Sequence, residues 1–293
     1  MKNFIAVDIG GTSIKYGIVE ENGKVLFSSE TPTEAEKGAE NLIKIVKSLI
    51  SSLIRRYKDI QGIGISTAGV VDTEDGSIIY ASDNLPGYTG VKLKYIIEKE
   101  FSIETIVNND VNAAALAEAW VGAGRNVDDF FCMTLGTGIG GAVIINKKLY
   151  KGVNYRAGEI GYLNKISGQN IYYEKKASTS ALVKMAKAEI KDPCDIDGKF
   201  IFHKAKQGDK HYCNIIDNWV EEVCKGIQNV IYVLDPGVIV IGGGISLQKD
   251  YLLDKIKESL LNFLPEGFTT STEIVMAQCG NDAGLIGSVY EFI

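Results

Sequence analysis

A chain of 293 residues, at roughly 150 residues per compact unit, predicts two lobes rather than one core. Lys and Arg number 31 against 37 Asp and Glu, a formal charge of −6. That excludes a general polyanion binder, because nucleic acid needs a basic surface to release its counterions. At 45% hydrophobic and 23% charged residues the composition is globular, which excludes extended disorder. No apolar run reaches the ~18 residues of a membrane span. The opening Met1-Lys2-Asn3-Phe4-Ile5-Ala6-Val7-Asp8 meets an acid before a signal-peptide core could form, so the expected location is cytoplasmic. Five scattered cysteines without a Cys-x-x-Cys pair make no disulfide framework.

In chain order, 4–9, 14–20 and 24–29 read as three short strands joined by glycine turns, an antiparallel meander. Residues 34–57 follow as an amphipathic helix, with Leu42, Ile43, Val46, Leu49, Ile50 and Leu53 on one stripe. A strand at 61–67 leads to a hairpin-like stretch at 70–72 and 78–80. A helix at 93–101, a strand at 104–108 and an alanine-rich helix at 111–121 come next, with Asn109 or Asp110 suited to cap the last. A second meander begins at 130–135 and 141–146. Both meanders run a strand into a glycine-rich turn and back, which predicts two lobes of one topology. Beyond 179 the chain reads as helices at 180–190, 199–206 and 214–234, a strand at 238–241 and a helix at 249–263. A strand near Ile274 and a helix at 283–292 close it.

Three glycine turns carry the first chemical signal. In Asp8-Ile9-Gly10-Gly11-Thr12-Ser13-Ile14-Lys15, glycine backbone can approach a phosphate, Thr12 can donate a hydroxyl and Lys15 adds charge. Asp8, ending a strand, could hold Mg²⁺ through water. The competing reading is a plain hairpin turn with a solvated Asp and Lys. Leu135-Gly136-Thr137-Gly138-Ile139-Gly140-Gly141 is a second such turn. Gly242-Gly243-Gly244, after an apolar strand, suits backbone lying flat against a nucleotide. The first is neither a Walker loop nor a dinucleotide fingerprint leading into a helix, and the three together describe one nucleotide gripped between lobes. Asp110 stands at the carboxyl end of a strand, where α/β proteins place ligand chemistry. A carboxylate there can orient an alcohol and take its proton during phosphoryl transfer. A simple helix cap is the competing role, and both can hold at once.

Residues 8–15, Asn84-Leu85-Pro86-Gly87, Asn109-Asp110, 135–141, Gly158-Glu159-Ile160-Gly161 and 242–244 resemble, in order, the motifs of the ROK family of sugar kinases and repressors. The resemblance implies a duplicated actin-like, ribonuclease-H-like α/β fold, with 1–112 as the N-terminal lobe, 113–280 as a larger C-terminal lobe, and a helix at 281–293 packing back on the first. It implies ATP and Mg²⁺ as cofactors, a small sugar as partner and a homodimer. Position by position, Asp110 corresponds to the family's catalytic base. Gly69, Asn84, Asn109, Glu159, Tyr162 and Glu174 fall at sugar-binding positions. Asp8, Gly10, Gly11, Thr12, Lys15, Gly136, Thr137, Gly138, Gly243 and Gly244 fall at the nucleotide.

The departures shape the expectation. Where the family has a histidine touching sugar and zinc, this chain has Tyr162; at the cysteine positions it has Lys165, Ser167 and Tyr172. No thiolate remains there, so no structural zinc is expected. The spacings of Cys194, His203, His211 and Cys213 match no usual zinc pattern. The resemblance therefore implies an ATP-dependent kinase acting on a hexose or hexoside hydroxyl, the 6-hydroxyl by preference. Glucose, a β-glucoside and an N-acylated hexosamine stay open as acceptors. A silent sugar-binding protein is the alternative of another class. A repressor would need a DNA-binding element, for which the first strand at residue 4 leaves no room, and another actin-like kinase, such as one for acetate, would not call for Asn84, Asn109 and Glu159.

Overall fold

The computed structural model describes residues 1–82, 84–189, 196–266 and 271–293. Strands β1 (Asn3–Ile9), β2 (Ser13–Glu20) and β3 (Val25–Pro32) form the expected antiparallel meander. Phe4 to Val7 and Ile9 are all buried, as a near-unbroken apolar run requires of a central strand. Helix α1 (Gly38–Arg56) lays Leu42, Val46, Ile50 and Leu53 on the face carrying Ile5, Val7, Ile63 and Ile65. Each such side chain contributes about 1.5–3 kcal/mol by leaving water. β4 (Ile60–Thr67) joins β1 in parallel, β5 (Val70–Asp72) and β6 (Ser77–Tyr80) make a separate hairpin, and helix α2 (Leu93–Phe101) leads to β7 (Thr105–Asn109), parallel to β4. The sheet order is β3-β2-β1-β4-β7.

Helix α3 (Asp110–Val121) follows β7 directly. The second sheet repeats the first: β8 (Phe130–Leu135), β9 (Ile139–Ile145) and β10 (Lys148–Tyr150) are antiparallel, β11 (Val238–Gly242) and β12 (Glu273–Met276) parallel, in the order β10-β9-β8-β11-β12. Two meanders, each extended by two parallel strands, are the duplicated ribonuclease-H-like plan. Helices α4 (Glu174–Ala177), α5 (Thr179–Glu189), α6 (Gly198–Lys206), α7 (Lys210–Leu234) and α8 (Lys249–Leu260) belong to this half. Its core sets Phe131, Met133, Ile239 and Ile241 with Trp219, Val223 and Ile227 of α7.

One compact unit comprises Met1–Arg125, Lys151–Ala157 and Asn281–Ile293; the other comprises Asn126–Tyr150 and Gly158–Gly280. The sequence reading divided the lobes after residue 112, inside α3. The helix stays whole because Ala113, Ala115 and Ala117 are fully buried and α9 (Ala283–Ser288) packs along it. Other boundaries shift for local reasons. α1 starts at Gly38 because Glu34 is left-handed and Ala35–Lys37 form a 3-10 turn. α7 starts at Lys210, four residues before its expected start, because the Asp209 carboxylate accepts the His211 N–H. α8 stops at Leu260 rather than 263, and the final helix breaks into α9 and a 3-10 turn at Tyr290–Phe292, whose Phe292 ring stacks on Phe4 at 5.2 Å. β10 and α4 were not anticipated. Cys194 and the end of the 180–190 helix lie outside the described residues.

Candidate active site

In the first unit, strand pairing brings the expected residues to one end of the sheet. Asp8, Ser66 and Asn108 are register partners on β1, β4 and β7, and the Ser66 hydroxyl donates to Asp8 Oδ1 at 2.7 Å. The Asp8 carboxylate packs so closely on Gly284 of α9 that a Cβ there would collide with it. Burial pushes the Asp8 carboxyl above its ordinary value of 3.8, offset in part by the Ser66 hydroxyl and then by the Lys15 charge. Lys15 itself donates to the Asn281 carbonyl at 2.8 Å.

The first glycine turn closes through Gly10 N–H to the Ser13 carbonyl at 3.0 Å. Buried Thr33 clamps it: its hydroxyl donates to the Gly10 carbonyl at 2.7 Å and its N–H to the Thr12 carbonyl at 3.0 Å. Beside it, α3 begins. Asn109, in extended backbone, accepts the N–H groups of Val111 and Asn112 at 2.9 and 3.1 Å. Of the two capping candidates, Asn109 is therefore the cap and Asp110 the first residue of the helix. The Asn109 amide donates to the Gly69 carbonyl at 2.8 Å and to Asp110 Oδ1 at 2.9 Å, and Oδ1 also accepts the Val111 N–H. The carboxylate is thus oriented by two donors before any ligand arrives. Asn84 is exposed in its loop, which buried Leu85 and Tyr88 anchor, the Tyr88 hydroxyl lying 3.0 Å from that of Thr67.

The second unit repeats the device. Gly136 N–H donates to the Gly138 carbonyl at 3.0 Å, and Thr179 clamps the turn, its N–H to the Gly136 carbonyl at 2.9 Å and its hydroxyl to the Leu135 carbonyl at 3.3 Å. Thr137 sits at the tip. Gly243, left-handed at φ 84°, lies against the Leu135 carbonyl, which brings the second and third turns together, and Gly244 opens the 3-10 turn that follows. Glu174 Oε2 accepts the Ile139 N–H at 3.1 Å, so close to Gly138 that a Cβ there would strike it. Glu159 leads into a 3-10 turn at Ile160–Tyr162 that packs on the same Ile139 backbone through Gly161.

Tyr162 is 50% exposed and stacks on Tyr172, ring centroids 5.5 Å apart, with Lys175 Nζ 5.0 Å over the Tyr172 ring. Tyr173 is buried, its hydroxyl donating to the Val223 carbonyl at 2.9 Å. Tyrosine packing thus occupies the place where the resembled family keeps zinc ligands. Tyr162, Lys165, Ser167 and Tyr172 supply no thiolate or imidazole for zinc; among the described residues no cluster of three or more His, Cys, Asp and Glu is placed to hold a metal ion, and His203 and His211 face Gln207 and Glu189. Ser66, Thr33 and Thr179 were missed in the sequence. A lone Ser or Thr beside a strand carries no signal until pairing shows which turn it meets.

These two constellations offer polar backbone turns suited to phosphate oxygens, a partly buried carboxylate beside one of them, and a preoriented carboxylate at a helix start. The model of the ROK family matches residues 4–292. The chain is 31% identical to a β-glucoside kinase of Listeria innocua, over 98% of this chain and 96% of that one. It is 30% identical to a glucokinase of Thermotoga maritima, over 97% and 95%. The solved ROK glucokinase of Streptomyces griseus, in complex with glucose and AMPPNP, superposes with a TM-score of 0.86 at 30% identity, covering 98% of this chain and 97% of that one.

Proposed function

The chain belongs to the ROK family, and from that premise we infer an ATP-dependent carbohydrate kinase that phosphorylates a hexose or hexoside hydroxyl, the 6-hydroxyl by preference. The observation that carries the reading is the β7–α3 junction, where Asn109 caps the helix and turns its amide onto Asp110. Asp110 orients the acceptor hydroxyl and takes its proton as the new oxygen–phosphorus bond forms. The bond from the γ-phosphorus to the β–γ bridging oxygen breaks, and ADP leaves with that oxygen. Asn84, Glu159 and Glu174 hold sugar hydroxyls. Asn109, expected at a sugar hydroxyl, instead has both amide hydrogens on Gly69 and Asp110 and its oxygen on the Val111 and Asn112 N–H groups, and acts by orienting Asp110.

Donor phosphates lie on the 10–12 and 136–138 turns, with Gly243 and Gly244 beneath the nucleoside and Lys15 supplying charge. A Cβ added at Gly11, Gly136 or Gly244 would meet no atom within 4 Å, which supports this fit: phosphate oxygens can reach those peptide groups. Asp8 would hold Mg²⁺ through water; the ion, when bound, neutralises charge on the transferring phosphate. No structural zinc is assigned. A homodimer and a cytoplasmic location, where ATP is supplied, belong to the same reading.

For the acceptor, the half-exposed Tyr162 ring favours a hexoside. It keeps one hydroxyl to donate or accept and adds a flat apolar face against which a substituent at the anomeric position can pack. Glucose, β-glucosides and N-acylhexosamines assayed with MgATP by ADP release test both levels. A β-glucoside should match or exceed glucose in kcat/KM, and Tyr162→Phe should raise KM more than it lowers kcat. Glucose surpassing every β-glucoside by a wide margin would remove the hexoside preference; no ADP release with any sugar would remove the kinase.

A further inference from the structure

Asn108, fully buried near the end of β7, has no part in the chemistry proposed above. Neither its amide nitrogen nor its amide oxygen has a hydrogen-bond partner among the described residues. Burying both groups unpaired costs the folded state their hydration, so such an amide calls for a physical reason. Its neighbour Asn109 supplies none. Successive strand residues point to opposite faces, and the Asn109 amide is taken up by Gly69 and Asp110. Parallel pairing instead places Asp8, Ser66 and Asn108 side by side in one row across β1, β4 and β7. The next row on that face is Ala6, Gly64 and Ile106, which offers no polar side chain. α9 closes the face, because a Cβ on Gly64 would strike the Ser288 carbonyl and one on Gly284 would strike Asp8.

We propose that Asn108 is a positioning residue for Asp8, acting through one buried water and Ser66. It rests on the kinase reading only in giving Asp8 to Mg²⁺. The amide makes no direct bond to the Ser66 hydroxyl, and strands about 4.8 Å apart leave between two such side chains a span that one water bridges. That water accepts from the amide nitrogen, donates one hydrogen to the amide oxygen of the same side chain and gives the other to Ser66 Oγ. It thereby makes the roughly three bonds usual for buried water and satisfies both groups of Asn108 at once. Ser66 has a single proton, which it donates to Asp8 Oδ1 at 2.7 Å, and its oxygen keeps lone pairs with which to accept. From Nδ2 to the carboxylate every donor then points the same way, and hydrogen bonds aligned in series strengthen one another. One carboxylate oxygen is fixed from behind, which leaves the other to the waters of the ion. Groups that hold a metal-side acid in this way set its orientation without touching the metal.

Calorimetric titration of the full chain with AMPPNP, once with Mg²⁺ and once in EDTA, tests this without turnover. The ratio of the two affinities measures what the ion adds. Asn108→Leu, close in volume but unable to bond a water, should shrink that ratio about tenfold, the low end of what outer partners contribute at metal sites. Affinity in EDTA and the sugar KM should stay unchanged. Asn108→Val should repeat the loss with a smaller side chain, and Asn108→Ser, which keeps a donor and an acceptor for the water, should restore most of the ratio. With Ser66→Ala in place, Asn108→Leu should shrink the ratio no further, because the two residues act in series. An unchanged ratio in both apolar variants overturns the proposal, as does a full further loss on top of Ser66→Ala. An Asn108→Leu chain that melts higher than wild type and keeps its ratio marks the amide as merely unpaired. No effect of Mg²⁺ on AMPPNP binding to the wild type removes Asp8 from the ion, and this role with it. Absence of ADP release with every sugar, while the ratio still responds to Asn108, removes the kinase reading alone.

Discussion

At the scale of single residues, the two acids of the first unit are held differently, and each difference has a measurable consequence. Asp110 is oriented by the Asn109 amide and the Val111 N–H, while the cap itself is Asn109. Asp110→Asn keeps an oxygen acceptor for Val111, so the melting temperature should stay near wild type while kcat falls on the order of a hundredfold or more. Near-normal kcat would leave residue 110 a mere helix-start residue. Asp8 is the opposite case, a carboxyl raised above 3.8 by burial. Between 3.8 and its raised value the native chain binds more protons than the unfolded one, so stability falls as pH rises through that interval, and the full cost is present above it. Asp8→Asn should therefore melt higher than wild type at about pH 7.5, the gain shrinking as pH falls toward 3.8, while sugar phosphorylation is lost. Equal melting temperatures at both ends of that range would mean the buried charge costs nothing.

At the scale of elements, α9 shows how packing decides what a helix may contain. A Cβ at Gly287 would run into the carbonyl of Ala113 on α3. Backbone is on the receiving side, so no rotamer change relieves the clash. Gly287→Ala should cost about 2–3 kcal/mol, as overpacking against an immovable wall does, read as a fall in the denaturant midpoint with unchanged slope. An unchanged midpoint would show that α9 can slide on α3. The glycine turns are elements of another kind, each stiffened by a threonine from a later segment, Thr33 in one unit and Thr179 in the other.

At the scale of the molecule, the second unit builds its 160–173 loop from tyrosines. Tyr173 enters the core and Tyr162 stacks on Tyr172. A zinc-dependent loop would lose its native state to a chelator, because metal binding energy is then folding energy. Here EDTA in the absence of nucleotide should leave the melting temperature unchanged, and elemental analysis should find no stoichiometric zinc. One zinc per chain would overturn this and revive a site built from Cys194, His203, His211 and Cys213.

Strand and helix periodicity, the glycine turns and their duplication were legible in the chain itself, because alternation of apolar residues and the backbone freedom of glycine are local properties. So were Asp8 at a strand end and Asp110 at a helix start. The short β10 and α4 were not, since three or four residues carry too little periodicity to register. Which of Asn109 and Asp110 caps α3 was undecidable locally, because both side chains can accept the same amides. The pairing of Ser66 with Asp8, and of Thr33 and Thr179 with their turns, joins residues far apart in the chain. Hydrogen bonds and charges act over a few ångströms of space, and only the tertiary structure decided which groups came within that reach.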